Sequence, residues 1–394
     1  MAKPMEPAGT PRRRDVRYRS FDGLSLHAID HGPLLSPWLP VVCLPGLSRT
    51  ARDFDELATF LAAHRNRPRR VVAFDYRGRG GSDRDPDTAH YTPLVEMTDV
   101  LDGMAALDIA RAVIVGTSRG GIITMLMSVA RPAVIAGAVL NDIGPAIEPI
   151  GLPRVKSYVG RTPAPDDWDD AVALLKRLHG LQFTDLGDDD WAVFARMSYR
   201  DEDGRPAIDY DPALGRTLDG IEFDRPLPAL WKEFATLAGV PVLAIRGENS
   251  DLLSAATLEE MARVHPGLET ITVAGEGHPP LLRHGLLQRI AAFVAGVEGA
   301  APPPDAITAT ETAALAAGRR HLRVPPGRPP AVGLAVARVA AAPEDRRLAD
   351  PVVALDALGE RQVVADPAHL GRRPGGDLAE VEDAEAVEEL LVPP

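Results

Sequence analysis

The strongest constraint on the fold is an alternation. Short apolar runs, VVCL (41–44), VVAF (71–74), AVIV (112–115) and VLAI (242–245), are separated by stretches whose apolar residues recur at helical spacing, such as DFDELATFLAA (53–63) and VEMTDVLDGMAALDI (95–109). Runs of that length without polar interruption suit strands buried on both faces, and the helical stretches supply the cover. The expected class is α/β, a mostly parallel sheet with helices on both faces. Ahead of this pattern, VRYRSFDGLSLHAIDH (16–31) alternates about Asp22-Gly23 and predicts a β-hairpin. VIAGAVLNDIGP (134–145) predicts a further strand and loop.

The alternation stops between Ala146 and Thr236, where acidic, tryptophan-bearing sequence (Trp168, Trp191, Trp231) carries helical stretches and a loose hairpin in RDEDGRPAIDYDP. It resumes with VPVLAIRGENSD (240–251), LETITVAGEGH (268–278) and the helical GLLQRIAAFVAGV. One core, residues 14–145 and 237–298, interrupted by a helical insertion over 146–236, accounts for this layout. The tail, 299–394, has no Phe, Trp, Tyr or Lys and repeats proline-rich pieces such as APPPD and VPPGRPP. Without aromatics it has little with which to build a core, so disorder is expected there, with an acidic helix over DLAEVEDAEAVEEL.

Charge and composition narrow the partners. A formal net charge of −13 argues against nucleic acid and anionic membrane surfaces, leaving a small-molecule substrate as the expected partner. The start has a basic cluster with no apolar stretch after it, and no uninterrupted apolar run reaches about 18 residues, so a cytoplasmic protein is expected. The single Cys43 excludes an intramolecular disulfide and a cysteine-built metal site; within VVCL it reads as a buried thiol. DYRGRGGSD (75–83) is glycine-rich but lacks the phosphate-loop pattern. It predicts a turn at the edge of a pocket, with Asp75 and Arg77 paired. Arg49 and Arg52 admit two readings, solvated charges at a helix start or attraction for an anionic substrate. No metal or cofactor is expected.

The chemistry lies in IVGTSRGG (114–121). Gly116 and Gly120 flank Ser118 at two residues on either side, between an apolar strand and a helix-like stretch. Such a turn lifts a hydroxyl above the sheet and sets it beside a helix N-terminus. Serine needs a histidine as base and a carboxylate to orient that histidine. Asp251 lies in the loop after VLAI, and His278 lies in the loop after ETITV. In a parallel sheet both loops emerge on the carboxyl edge beside Ser118. Glu248 and Asp142 compete with Asp251 for the carboxylate role.

The pieces LPGL, DYRGRGGSD, VGTSRGG, RGENSDLL and GEGH, with the order Ser118, Asp251, His278, make residues 16–298 resemble an α/β-hydrolase with a cap inserted after the sixth strand. The resemblance implies Ser118 as nucleophile, His278 as general base and Asp251 as the acid, whose offset from its strand suits the family. It also implies an oxyanion hole from the backbone N–H groups of Leu47 and Arg119. Two departures stand out: Pro45-Gly46 where many relatives carry His-Gly, and Arg119 where an apolar residue or Gln is common. The implied reaction is cofactor-independent cleavage of a small ester or lactone. The alternatives are a carbon–carbon bond hydrolase of ring-fission products and a non-catalytic ligand-binding member of the fold. Candidate pocket walls in the cap are Trp191, Phe194, Met197 and Tyr210.

Overall fold

The computed structural model describes residues 11–221 and 227–300, so the expectations for the tail beyond Ala300 lie outside the described residues. The expected hairpin is β1 (Arg13–Arg19) and β2 (Ser25–His31), antiparallel through a turn in which Gly23 takes φ +94°. Then follow β3 (Val41–Leu44), α1 (Asp55–Ala62), β4 (Val71–Asp75), α2 (Pro93–Ala106), β5 (Ala112–Thr117), α3 (Arg119–Ala130) and β6 (Ile135–Asn141). The eight-stranded sheet is completed later in the chain by β9 (Val242–Gly247) and β10 (Leu268–Val273), in the order β1-β2-β4-β3-β5-β6-β9-β10. Within this sheet, among the described residues, only the β1–β2 and β2–β4 pairings are antiparallel.

The strands sort their side chains with period two onto opposite faces. Val42, Leu44, Phe74 and Ile114 pack with Val100 and Met104 of α2 and Ile123 and Met125 of α3. Val41, Cys43, Val71 and Val113 pack on the other side with Leu57 and Leu61 of α1 and with Ile290 and Phe293 of the last helix. These side chains are sealed from solvent, and burial stabilises each large one by about 1.5–3 kcal/mol. Two apolar faces on one sheet explain why the strands lack polar alternation.

Between β6 and the next sheet strand the chain leaves the sheet. It forms α4 (Leu152–Tyr158), α5 (Trp168–His179), α6 (Asp188–Ser198), a hairpin of β7 (Tyr199–Glu202) and β8 (Arg205–Ile208), and α7 (Trp231–Ala235). Asp167 caps α5 by accepting from the Asp170 N–H. The insertion has its own small core of Ala171, Leu175, Phe183, Trp191 and Phe194, with Leu281 of the main body against it. Ion pairs tie it down: Arg52 to Asp209 at 2.8 Å, Arg154 to Asp251 at 2.7 Å, and Arg283 to Asp190. The chain then returns through β9 (Val242–Gly247), α8 (Ala255–Val264), β10 (Leu268–Val273) and α9 (Gly285–Ala300). No helix among the described residues is long and apolar enough to cross a membrane.

The expected Asp75–Arg77 pair does not form. Asp75 instead takes His27 Nδ1 at 2.7 Å and the N–H of Ala51 at 2.7 Å. Arg77, fully buried, donates to both carboxylate oxygens of Asp99 and to Asp22 and Asp85. A one-turn change of direction after β4 sends successive polar side chains to different neighbours, which the linear spacing conceals. Asp22, Asp85 and His90 stand close enough to hold a metal ion, but Arg77 already bridges the two carboxylates.

Candidate active site

Ser118 ends β5 and opens α3 with φ 51° and ψ −114°, a backbone conformation few residues other than glycine adopt. The neighbouring glycines make the bend possible. A Cβ at Gly116 would stand 2.4 Å from Gly120 O, and one at Gly120 would stand 2.1 Å from Leu44 O. Helix α3 has no side-chain cap, because the Ser118 hydroxyl faces away from its own helix toward His278. The Arg119 N–H, in the first turn, has no intrahelical acceptor and remains available to a ligand.

His278 brings its Nε2 to 2.9 Å from Ser118 Oγ. Its other nitrogen, Nδ1, lies 2.8 Å from Asp142 Oδ2. This corrects the expectation for the carboxylate: the partner of His278 is Asp142, and Asp251 is elsewhere. Asp142 follows β6, takes φ 55°, and is fully buried. Its carboxylate also accepts from the Gly247 N–H at 2.7 Å, at the end of β9, and from Ser250 Oγ at 2.6 Å, on the loop that follows. Because β6 and β9 are neighbours in the sheet, their loops emerge side by side, and the β9 loop supports a carboxylate that the β6 loop supplies. Asp251 is held by both carboxylate oxygens to Arg154 of α4, each at 2.7 Å. Burial would raise its pKa, but the Arg154 guanidinium outweighs that and holds it below the usual carboxylate range. Glu248 is exposed and accepts from the Gly275 N–H.

The loop after β3 is fastened against this group. Tyr76 Oη donates to Pro45 O at 3.1 Å, and Arg79 Nε donates to Leu47 O at 2.9 Å. Gly46 approaches closely enough that a Cβ there would lie 3.9 Å from the Ser118 Cβ. Leu47 and Arg119 therefore both border the space in front of the serine hydroxyl.

That space is a cavity of about 240 Å³ between the sheet edge and the insertion. Ile122, Ile143, Leu152, Val155 and Leu252 supply apolar wall, together with the expected Phe194, Met197 and Tyr210. Trp191 does not line it. Its ring stacks on Phe194 with centroids 6.0 Å apart inside the insertion's own core, so it supports a wall residue from behind. His179, missed in the sequence because a lone helical histidine carries no signal, also lines the cavity. Burial, with Arg154 and Arg49 nearby, pushes its pKa down to about 3. Arg49 reaches the cavity too, but its guanidinium is bonded to both oxygens of Asp53 at 2.8 and 2.7 Å and to Ser198 Oγ. Neither it nor Arg52, paired to Asp209, is a solvated charge.

A sequence profile described as the alpha/beta hydrolase family matches residues 41–287. The chain is similar to a 3-hydroxybutyrate-oligomer hydrolase of Cupriavidus necator, with 29% identity over 61% of this chain and 82% of that protein. It is similar to a 2-(acetamidomethylene)succinate hydrolase of Mesorhizobium japonicum, with 30% identity over 53% of this chain and 71% of that protein. The crystal structure of an alpha/beta hydrolase from Novosphingobium aromaticivorans superposes with a TM-score of 0.65 and 38% identity, covering 73% of this chain and 99% of that one.

Proposed function

Because the chain belongs to the alpha/beta hydrolase family, we propose that it is a serine hydrolase that cleaves a small carboxylic ester or lactone through an acyl-enzyme on Ser118. One observation carries the reading: Ser118, His278 and Asp142 form an unbroken hydrogen-bonded chain that opens into an apolar cavity. His278 Nε2 accepts the hydroxyl proton as Oγ attacks the acyl carbon, and Asp142 holds the ring by its Nδ1–H and stabilises the imidazolium that forms. The N–H groups of Leu47 and Arg119 face the oxyanion of the tetrahedral intermediate, each such donor contributing about 3–4 kcal/mol. The imidazolium returns its proton to the departing alkoxide. Water then attacks the acyl-enzyme with His278 again as base, releasing the acid and restoring Ser118.

The insertion over 146–236 acts in this reading as a cap that excludes water and shapes the substrate. The relative from Cupriavidus necator is named for hydrolysing oligomers of 3-hydroxybutyrate, which joins short hydroxy acids through ester bonds. That bond type favours an ester over a carbon–carbon substrate. Turnover of a panel of short esters, lactones and vinylogous diketones tests the assignment. Ester or lactone cleavage that disappears in Ser118→Ala is expected; cleavage confined to the diketones would contradict it.

A further inference from the structure

The residue after the proposed nucleophile is a cation without a hydrogen-bonding partner. Arg119 begins α3 and borders the cavity, with a side chain 12% exposed. Among the described residues its guanidinium makes no hydrogen bond; its one ionic contact is Nε to Glu96 Oε2 at 3.6 Å. None of its nitrogens belongs to the sealed, unpartnered polar atoms, so they face accessible volume. The other arginine lining the cavity, Arg49, is saturated by Asp53, and Arg154, behind the lining residue His179, is saturated by Asp251.

The charge balance behind Arg119 is uneven. Glu96 is fully buried and its Oε1 lies 2.7 Å from Arg79 Nη2, so one carboxylate faces two guanidinium groups. Arg79 is committed to structure, donating to Leu47 O and Arg77 O and lying against the rings of Tyr76 and Tyr91. Burial works against the charge of Arg119, Glu96 supports it, and Arg79 opposes it. Arginine stays cationic regardless. A desolvated cation that shares its one counter-charge with a second guanidinium and makes no hydrogen bond is costly, and the cost is recovered when an anion enters.

We propose that Arg119 is a specificity-determining residue whose guanidinium binds a carboxylate carried by the substrate, so that the preferred ester is an acidic one. The inference rests on the hydrolase reading for where the ester lies, but not for the anion site itself. An uncharged residue at this position would serve a neutral ester equally well, and would avoid burying a second guanidinium beside Arg79.

The test uses matched pairs that differ only in charge. The linear dimer of 3-hydroxybutyrate is compared with its terminal carboxamide, which places the anion on the alcohol side. Mono-4-nitrophenyl adipate is compared with its monoamide, which places it on the acyl side. In at least one pair the wild type should favour the carboxylate by roughly 10- to 150-fold in kcat/KM, the range of a charged hydrogen-bonded pair. Arg119→Met should bring that ratio close to one and Arg119→Lys should restore part of it. The ratio cancels any loss common to both members. Calorimetric binding of the same compounds to Ser118→Ala gives a readout independent of turnover, with the carboxylate preference absent in Ser118→Ala/Arg119→Met. If neither member is hydrolysed yet that binding preference is found, the anion site stands and the hydrolase reading falls. Equal turnover and equal binding in both pairs, no binding of any of the four, or a preference that survives Arg119→Met would overturn the proposal.

Discussion

Asp142 Oδ2 and His278 Nδ1 stand 2.8 Å apart although 136 residues separate them in the chain. The carboxylate is fully buried, and three donors face it: the imidazole, the Gly247 N–H and the Ser250 hydroxyl. A carboxylate fixed this way can hold one tautomer of the histidine and offset the charge it gains.

Asp142→Asn should therefore lower kcat by roughly 10³- to 10⁴-fold, because an amide favours the wrong imidazole tautomer. Asp251→Asn breaks only a partly exposed pair with Arg154, worth about 1 kcal/mol, so its loss should stay within about tenfold. Parallel ester kinetics on the two variants check this; a larger effect at Asp251 would return the acid role to it.

His179 predicts an acid sensitivity of the fold. Its ring packs against Phe183 and Phe194, and its folded pKa is about 3. Between that value and about pH 6.5 the unfolded chain binds the proton and the folded protein does not. Stability from the neutral ring is thus complete above pH 6.5 and is lost progressively as pH falls. His179→Phe should flatten the decline, by at most about 1.4 kcal/mol per pH unit. Urea unfolding at pH 7.5 and pH 5 measures it; equal losses in wild type and variant would contradict the assignment.

Gly120→Ala should destabilise the fold by about 1–3 kcal/mol, since its methyl would strike the Leu44 carbonyl, a backbone atom of the central sheet. It should also reduce ester turnover by displacing the turn that presents Ser118. A shift in the midpoint of urea unfolding at unchanged slope is the expected signature.

Arg77→Met should be more damaging, at about 3–5 kcal/mol, because it leaves Asp22, Asp85 and Asp99 facing one another without their shared cation. Even with Arg77 present, burial raises Asp99 to about 6. Double substitution with Asp99→Asn should recover part of the loss in thermal unfolding; no recovery would mean that the network contributes little.

Much of this architecture was legible because its causes are local. Buried strands betray themselves by unbroken apolar runs, and Ser118 by glycines that a tight bend requires. His278 was found because it follows the last strand. The carboxylate was misassigned because Asp142 and Asp251 both follow strands that are adjacent in the sheet, at offsets of one and four residues. What separates them is a positive φ at Asp142 and an Arg154 contributed by the insertion, neither of which is written in local spacing. Trp191 misled for a related reason: an aromatic on an amphipathic helix is equally suited to a wall or to the core behind it.

The central claim is that Ser118 becomes acylated with His278 as its base. Intact-protein mass spectrometry after exposure to a fluorophosphonate, followed by peptide mapping, tests it most directly. The account predicts a single stoichiometric adduct on Ser118, absent in Ser118→Ala and strongly slowed in His278→Ala. A folded wild type that acquires no adduct, or acquires it at another residue, would contradict it.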